Sequence, residues 1–155
     1  MQRWNRRAGK LSAIVTQNID GLHQAAGSKN VFELHGSVHR NYCQKCGKFF
    51  DVNYVVNAKG VPYCDECGGI IKPDVVLYEE GLDSQTINGA VRAISKADML
   101  IIGGTSLVVY PAAGMIDYFK GKYLAVLNRD ATSRDKQADL CITDPIGEVL
   151  GRIRV

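Results

Sequence analysis

The fold is decided by residues 98–106, which read DMLIIGGTS. The apolar run from Met99 to Ile102 predicts a buried strand, and the two glycines and two hydroxyl residues after it end the strand in a loop. Further buried strands are predicted at 123–127 and 140–142, and they alternate with predicted helices at 111–119 and 146–153. Strands that are apolar on both faces and alternate with helices are typical of a covered parallel sheet. We therefore predict an α/β protein with a Rossmann-like parallel sheet.

The pattern towards the N-terminus predicts shorter elements. Strands are predicted at 10–15 and 31–34, with a helical turn at 22–26 between them. Strand character resumes at 75–77. A helix is predicted over 83–95, because Ile87, Val91 and Ile94 recur at helical spacing, with Asp83 or Ser84 as its N-cap.

Length and composition limit the classes of protein. The chain has 155 residues, 46% hydrophobic and 23% charged, which suits one globular domain or one domain with a small insert. The net charge of +3 is too small to indicate a nucleic-acid partner. No apolar run approaches the ~20 residues that a bilayer requires, and no apolar stretch follows the first charges as in a signal peptide. We expect no membrane partner and a cytoplasmic protein, with a solvated basic start that carries Arg3, Arg6, Arg7, Lys10 and Lys29.

Four of the five cysteines form two Cys-x-x-Cys pairs, Cys43 with Cys46 and Cys64 with Cys67, separated by 17 residues. This spacing brings four thiolates around one tetrahedral zinc, and a full set of four indicates a structural ion. Residues 42–72 are accordingly predicted to form a small four-cysteine zinc-ribbon insert, with 1–41 and 73–155 forming the Rossmann-like domain. The fifth cysteine, Cys141, is predicted to be a packed core thiol.

Three groups of residues are candidates for a catalytic or nucleotide site. His35 ends a predicted strand and could accept a proton near neutral pH, although an ordinary packed histidine fits the same pattern. Gln17, Asn18 and Asp20 follow another strand and could equally form a hydrogen-bonded turn. The Gly103–Ser106 loop could approach a phosphate or ribose, and Asn128 follows the next strand at the same edge of the sheet.

Taken together, these segments resemble the sirtuin family of NAD-dependent protein deacylases, in its bacterial form. The resemblance covers the chain from about Lys10 onward. It rests on the following segments, in order: Thr16–His23 (TQNIDGLH), Glu33–Gly36 (ELHG), the four cysteines, Lys72–Val76 (KPDVV), Gly104–Ala112 (GTSLVVYPA) and Leu127–Asn128.

The resemblance implies roles that the residues alone leave open. His35 matches the general base, which activates a ribose hydroxyl after the acyl-lysine oxygen has displaced nicotinamide from NAD; the products are nicotinamide and O-acyl-ADP-ribose. Val75 and Val76 match the strand that pairs with an acyl-lysine protein or peptide. The implied NAD-binding positions are Gln17, Asn18, Ile19, Asp20, Gly103, Gly104, Thr105, Ser106, Asn128 and Ile146.

The sequence departs from the family pattern in two places. The family's Gly-Ala-Gly-x-Ser loop and Gly-x-Pro-x-Phe-Arg segment do not occur before Lys10, so we expect a sheet incomplete at its N-terminal side, weak NAD binding and poor turnover. Tyr78–Glu79–Glu80 stands where the family commonly has Phe-Gly-Glu, which alters the local substrate wall. Two alternatives to the deacylase stay open: a noncatalytic zinc-ribbon and half-Rossmann fragment, and a mono-ADP-ribosyltransferase.

Overall fold

The computed structural model describes residues 10–153, so the basic residues Arg3, Arg6 and Arg7 and the predicted absence of a leader lie outside the described residues. The C-terminal part is a three-stranded parallel sheet, as predicted. Its strands are β6 (Met99–Gly103), β7 (Tyr123–Leu127) and β8 (Leu140–Ile142), in the order β6-β7-β8. Leu124 to Leu127 of the central strand are buried, because both neighbours cover its edges and side chains cover its faces.

A second parallel pair lies near the N-terminus. Strand β1 (Ile14–Thr16) pairs with β2 (Val31–Glu33), and the short helix α1 (Leu22–Ala25) lies between them in the chain. The predicted strand at 10–15 thus begins later and ends one residue beyond the prediction. Among residues 10–153 no strand joins this pair to β6, so the parallel strands form two sheets.

One amphipathic helix, α3 (Ser84–Ser95), connects the two sheets through its apolar face. Asp83 is its N-cap, as predicted, and the Asp83 carboxylate accepts a hydrogen bond from the Thr86 N–H at 2.7 Å. Ala90 and Ile94 of the helix lie in one core cluster with Leu34 and Met115, and Val15, Phe32 and Leu100 of the strands pack against it. Burial of each large aliphatic side chain contributes about 1.5–3 kcal/mol, so this cluster holds the strand pair beside the larger sheet.

An antiparallel sheet of order β4-β3-β5 holds the segment predicted as the insert and extends beyond residues 42–72 on both sides. Its strands are β3 (Gly36–Cys43), β4 (Phe49–Phe50) and β5 (Ile71–Val75), and the helix α2 (Val52–Val56) follows β4. The long strand β3 starts before residue 42 and ends at the first cysteine. Its pairing with β5 shifts in register between Ser37 and Asn41. Because β3 is central, β5 is an outer strand, and no strand within residues 10–153 pairs with its other edge.

Three predictions of local structure differ from what the structure shows. The helix predicted at 111–119 is a 3₁₀ helix (Ala112–Tyr118), where Gly114 weakens an α-helix of this length. The strand predicted at 75–77 is β5, which ends at Val75 and begins at Ile71 because its first residues pair with the end of β3. Cys141 is exposed, since β8 is the edge strand of its sheet.

Two short elements complete the C-terminal part. A 3₁₀ turn (Asp135–Gln137) precedes β8, and the helix α4 (Ile146–Arg152) follows it. Within 10–153, no helix is both long enough and apolar enough to cross a bilayer.

Candidate functional site

A cleft of about 430 Å³ lies where the chain segments on either side of residues 42–72 approach each other. Its walls come from three segments that are distant in sequence: the loop after β1, the residue before β3, and the end of β5. The residues that line it are Gln17, Asn18, Ile19, Asp20, His35, Val75 and Val76. The structure therefore brings together the candidate histidine, the polar loop and the candidate peptide strand.

The loop that carries Gln17 to Asp20 is held by hydrogen bonds to its own residues and to β3. The Asn18 N–H donates to Thr16 Oγ1 at 3.1 Å, and the Leu22 N–H donates to Asp20 Oδ1 at 3.0 Å. The Val38 N–H donates to the Ile19 carbonyl at 3.1 Å. These bonds fix the backbone and leave the side chains of Gln17 and Asn18 to face a ligand.

His39 supports the same loop from β3. Its Nε2 lies 3.0 Å from the Asp20 carbonyl oxygen, which fits an N–H donor. Its ring also lies against Gly21, where an added Cβ would be 2.7 Å from Cδ2 of His39. The position of His39 in the sequence does not indicate this role, although Gly21 after Asp20 is a signal of a close approach.

His35 is positioned by a close approach of two backbones. It is partly buried at the junction of β2 and β3, and its carbonyl accepts a hydrogen bond from the Val76 N–H at 3.1 Å. Gly36 follows it with φ of 75°, and a Cβ there would overlap the carbonyl oxygen of Asp74. Only glycine permits β5 to lie this close to the histidine.

Arg40 links the strands behind the cleft. Its guanidinium bonds Glu33 Oε2 at 2.7 Å and Asp74 Oδ2 at 2.8 Å, which ties β2 to β5 across β3. Burial lowers the pKa of Arg40, but the hydrogen bonds to Glu33 and Asp74 outweigh it and raise the pKa above its usual value. The side chain of Glu33 is only 7% exposed, so its carboxylate depends on this partner. Nothing in the spacing of Arg40 indicated this role.

The unpaired edge of β5 suits an extended peptide. Val76 directs its N–H towards β3, and in an antiparallel ladder the neighbouring residue directs its backbone groups to the opposite side. Val75 therefore presents its N–H and carbonyl to the open edge. The carbonyl accepts a hydrogen bond from Lys72 Nζ at 3.1 Å, a flexible donor that a peptide can replace.

The second group of predicted residues meets at the carboxyl ends of β6 and β7. The Thr105 N–H donates to Asn128 Oδ1 at 3.0 Å, and Asn128 Nδ2 donates to the Asp130 carbonyl at 2.8 Å. The Gly104 N–H donates to the Leu127 carbonyl at 3.2 Å. Asn128 thus holds the loop after β6, with Ser106 exposed beside it.

This loop fits a nucleotide in shape. Ile146, at the start of α4, packs on Gly103 so closely that an added Cβ would meet its Cδ1. Gly104 has φ of 63° and open space where a Cβ would stand, so a ligand can approach its backbone. None of the residues lining the His35 cleft belongs to this second group.

The four predicted metal ligands converge in the insert. The sulfur atoms of Cys43, Cys46, Cys64 and Cys67 all lie within 4.8 Å of one another. The two halves have the same backbone pattern: the Gly47 N–H donates to the Cys43 carbonyl at 2.9 Å, and the Gly68 N–H donates to the Cys64 carbonyl at 3.0 Å. Both glycines have left-handed φ, 75° and 67°. Two matched knuckles with four sulfurs fit a tetrahedral zinc ion.

The thiols do not ionise alike. The backbone N–H of Cys46 lowers the pKa of Cys43 to about 6. The backbone N–H of Lys48 lowers the pKa of Cys46, but the sulfur of Cys67, burial and the other two sulfurs outweigh it and raise the pKa to about 12. A divalent cation removes this repulsion between sulfurs, so the donor set is compatible with zinc in its fully deprotonated form.

Lys48 joins the two knuckles electrostatically. Its ammonium bonds Asp65 and Glu66, each at 2.8 Å, and lies 5.4 Å from the centre of the Phe50 ring. The two carboxylates raise the pKa of Lys48, and Lys48 in turn lowers the pKa of Asp65. The sequence does not indicate this role of Lys48, because a charged residue after a knuckle is common on exposed surfaces.

Comparison with known proteins supplies the family. A sequence model of the Sir2 family matches residues 1–111. The NAD-dependent protein deacetylase of Clostridium acetobutylicum is 68% identical over 143 residues, which are 92% of this chain and 58% of that protein. The corresponding protein of Clostridium perfringens is 67% identical over 146 residues, 94% of this chain and 60% of that protein. This chain thus spans about three-fifths of the length of these curated relatives.

Solved structures agree with the sequence comparison. A Sir2 structure with a p53 peptide and NAD⁺ superposes with a TM-score of 0.83 at 39% identity and covers 91% of this chain and 61% of that chain. A Sir2 structure bound to an acetylated peptide gives a TM-score of 0.83 at 38% identity, over 91% of this chain and 61% of that one. The fold of this chain is thus similar to that of Sir2 structures with bound NAD⁺ and with bound acetylated peptide, and the chain belongs to the Sir2 family.

Proposed function

We propose that this chain carries the acyl-lysine and nicotinamide side of an NAD-dependent protein-lysine deacylase. One observation supports the proposal above all others: His35, the Gln17–Asp20 loop and the end of β5 line the same cleft. A histidine, polar groups at strand ends and a strand edge are the three parts that the reaction requires. The relatives named as deacetylases share this segment, although the chain spans about three-fifths of their length.

We assign a different role in the reaction to each group of residues. The backbone of Val75 and Val76 aligns a substrate peptide by β-augmentation, which directs its acyl-lysine into the cleft beside His35. Gln17, Asn18, Ile19 and Asp20 surround the nicotinamide and its ribose. The neutral imidazole of His35 accepts a proton from a ribose hydroxyl, which makes that oxygen a nucleophile.

NAD fits the second loop as well. Gly103, Gly104, Thr105 and Ser106 lie around its phosphates and ribose, Asn128 holds Thr105 and contacts the adenosine ribose, and Ile146 lies near the adenine. When bound, NAD supplies an electrophilic ribose carbon and a leaving group, nicotinamide. The acyl group is transferred to the ribose as O-acyl-ADP-ribose, one water molecule is consumed, and the lysine is released as the free amine.

We also propose a zinc ion in the four-cysteine cluster, with a structural role. Four thiolates saturate a tetrahedral ion and leave no position for a substrate. Since these thiols must stay reduced to bind metal, we propose a cytoplasmic location for the protein.

The test is mass spectrometry of an acetyl-lysine peptide incubated with the zinc-loaded chain, with and without NAD. We expect slow loss of the acetyl group and slow release of nicotinamide, both dependent on NAD, and a rate at least about a hundredfold lower in His35→Ala. His23→Ala is the matched control, since His23 lies outside the cleft. Attachment of ADP-ribose to protein without deacylation would instead support the transferase alternative. No turnover by folded, zinc-bound chain would favour the noncatalytic alternative.

A further inference from the structure

The loop after β5 is held in an unusual conformation by one of two adjacent glutamates. Glu80 accepts a hydrogen bond from the Leu77 N–H at 2.9 Å and pairs with Lys72 Nζ at 3.2 Å. Both contacts lower the pKa of Glu80, the backbone contact more than the lysine. Glu80 thereby closes a tight turn over residues 77–80, in which the Glu80 N–H also donates to the Leu77 carbonyl at 3.1 Å.

The two central residues of this turn, Tyr78 and Glu79, have exposed side chains. Glu79 has φ of 70°, a left-handed value that costs free energy for any residue with a Cβ. Within the part of the chain that the structure describes, its carboxylate has no hydrogen bond or ion pair. The preceding side chain, Tyr78, is fully exposed at 101%. Glu79 therefore takes no part in the side-chain hydrogen bonds and ion pairs that hold this turn among the described residues.

The position of this pair relates it to the substrate. The turn directly follows Val75 and Val76, whose backbone borders the cleft and the open edge of β5. A peptide paired with that edge passes alongside residues 77–80. A carboxylate and an aromatic face are the two groups that attract a lysine or arginine side chain, through charge and through a cation–π contact.

Resting on the proposed function, we infer that Tyr78 and Glu79 form a specificity rim, which selects acyl-lysine peptides carrying a basic residue beside the acyl-lysine. The basic side chain of the peptide pairs with the Glu79 carboxylate and lies over the Tyr78 ring. Glu80 and Lys72 already neutralise each other, so Glu79 supplies the unpaired negative charge.

Peptide binding tests the inference without requiring turnover. Fluorescently labelled acetyl-lysine peptides that differ only in carrying arginine or glutamine beside the acetyl-lysine are titrated with the zinc-loaded chain, and fluorescence anisotropy gives the Kd. We expect the arginine peptides to bind roughly two- to fivefold more tightly, as for an exposed ion pair. The preference should shrink as salt is raised, because the pair is exposed.

Variants separate recognition from a structural effect. Glu79→Gln should remove most of the preference and leave the Kd for the glutamine peptide unchanged, while Tyr78→Leu should reduce it. Glu148→Gln, an exposed glutamate on α4, is the control of equal charge change and should keep the preference. Glu79→Gly should remove the preference and also raise the Tm, since glycine adopts the positive φ without cost.

The outcomes distinguish the two proposals. Equal affinity for both peptides, or a preference that remains in Glu79→Gln, would contradict the specificity rim. It would not contradict the proposed pairing of a peptide with the outer edge of β5. Absence of binding to every peptide overturns the peptide edge, and the rim with it.

Discussion

The backbone of Gly36 lies against the carbonyl oxygen of Asp74 so closely that no side chain fits between them. The contact sets the separation of β3 and β5 at the end of the ladder that borders His35. We predict that Gly36→Ala destabilises the chain by about 2–5 kcal/mol, through left-handed φ and backbone overlap together. Chemical denaturation measures this change.

The control for that prediction is Gly60→Ala. Gly60 has φ of 89° but open space around the added Cβ, so it reports the cost of the conformation alone. We expect Gly60→Ala to cost about 1 kcal/mol. Equal losses at the two positions would show that the contact with Asp74 is unimportant.

The ion pairs of Arg40 give a second prediction. Arg40→Met leaves the nearly buried Glu33 carboxylate without its cation, and we expect a loss of about 1–3 kcal/mol in the free energy of unfolding. Glu33→Gln in the same chain should restore part of this loss, because a neutral amide needs no cation. If the double variant is no more stable than Arg40→Met, desolvation of Glu33 is not the cause.

Zinc binding gives a third prediction. The chain should contain about one zinc ion, and Cys46→Ser should lose most of it, with a lower Tm, because three thiolates hold the ion less tightly. Elemental analysis and thermal unfolding measure both effects. Cys141→Ser is the control, since Cys141 lies outside the cluster and is exposed. Full zinc content in Cys46→Ser would contradict the assignment of the ligands.

The cap of α3 gives a prediction about pH. The N–H and hydroxyl of Thr86 lower the pKa of Asp83, the N–H contributing more. A lowered pKa means that the charged carboxylate stabilises the fold above the ordinary aspartate pKa of about 3.9, and that this stability is lost as the pH falls through the lower folded value. Asp83→Asn should therefore lower the Tm at pH 7 by a few degrees, and the difference in Tm between the two proteins should disappear in acid.

Two measurements check the Asp83 prediction. Thermal unfolding of the unchanged chain and of Asp83→Asn across the acid range gives the difference in Tm at each pH. Any release of metal in acid affects the two proteins equally. Asp144→Asn, at an exposed position, should leave the Tm at pH 7 nearly unchanged. A difference in Tm between the two proteins that stays constant down to pH 3 would show that the charge of Asp83 does not contribute to stability.

The elements with strong local signals could be predicted from the sequence. Tyr123–Leu127 and Leu140–Ile142 have the predicted bounds, and Asp83 caps α3, since each follows from a continuous apolar run or a capping side chain. The convergence of the four cysteines could likewise be predicted from the spacing of the two Cys-x-x-Cys pairs. The convergence of His35, the Gln17–Asp20 loop and Val75 could be expected only by resemblance, because it depends on long-range pairing.

Other features could not be predicted, for identifiable reasons. Strand β3 (Gly36–Cys43) is polar, contains a register shift and alternates weakly, so its sequence resembles a loop. The role of Arg40 depends on two partners, Glu33 and Asp74, that both reach it only when β2 and β5 approach β3 in the folded chain. The positive φ of Glu79 follows from the turn that Glu80 closes, and glutamate has no local preference for it.

The ladder between β3 and β5 runs from the four-cysteine cluster to the His35 cleft. One end pairs Cys43, a proposed zinc ligand, with Ile71, and the other pairs Gly36 with Val75, beside His35. Linked equilibria are reciprocal, so any effect of the metal on peptide binding along this ladder would be matched by an equal effect of the peptide on metal binding. The same two strands therefore carry a ligand of the proposed metal and an edge of the cleft.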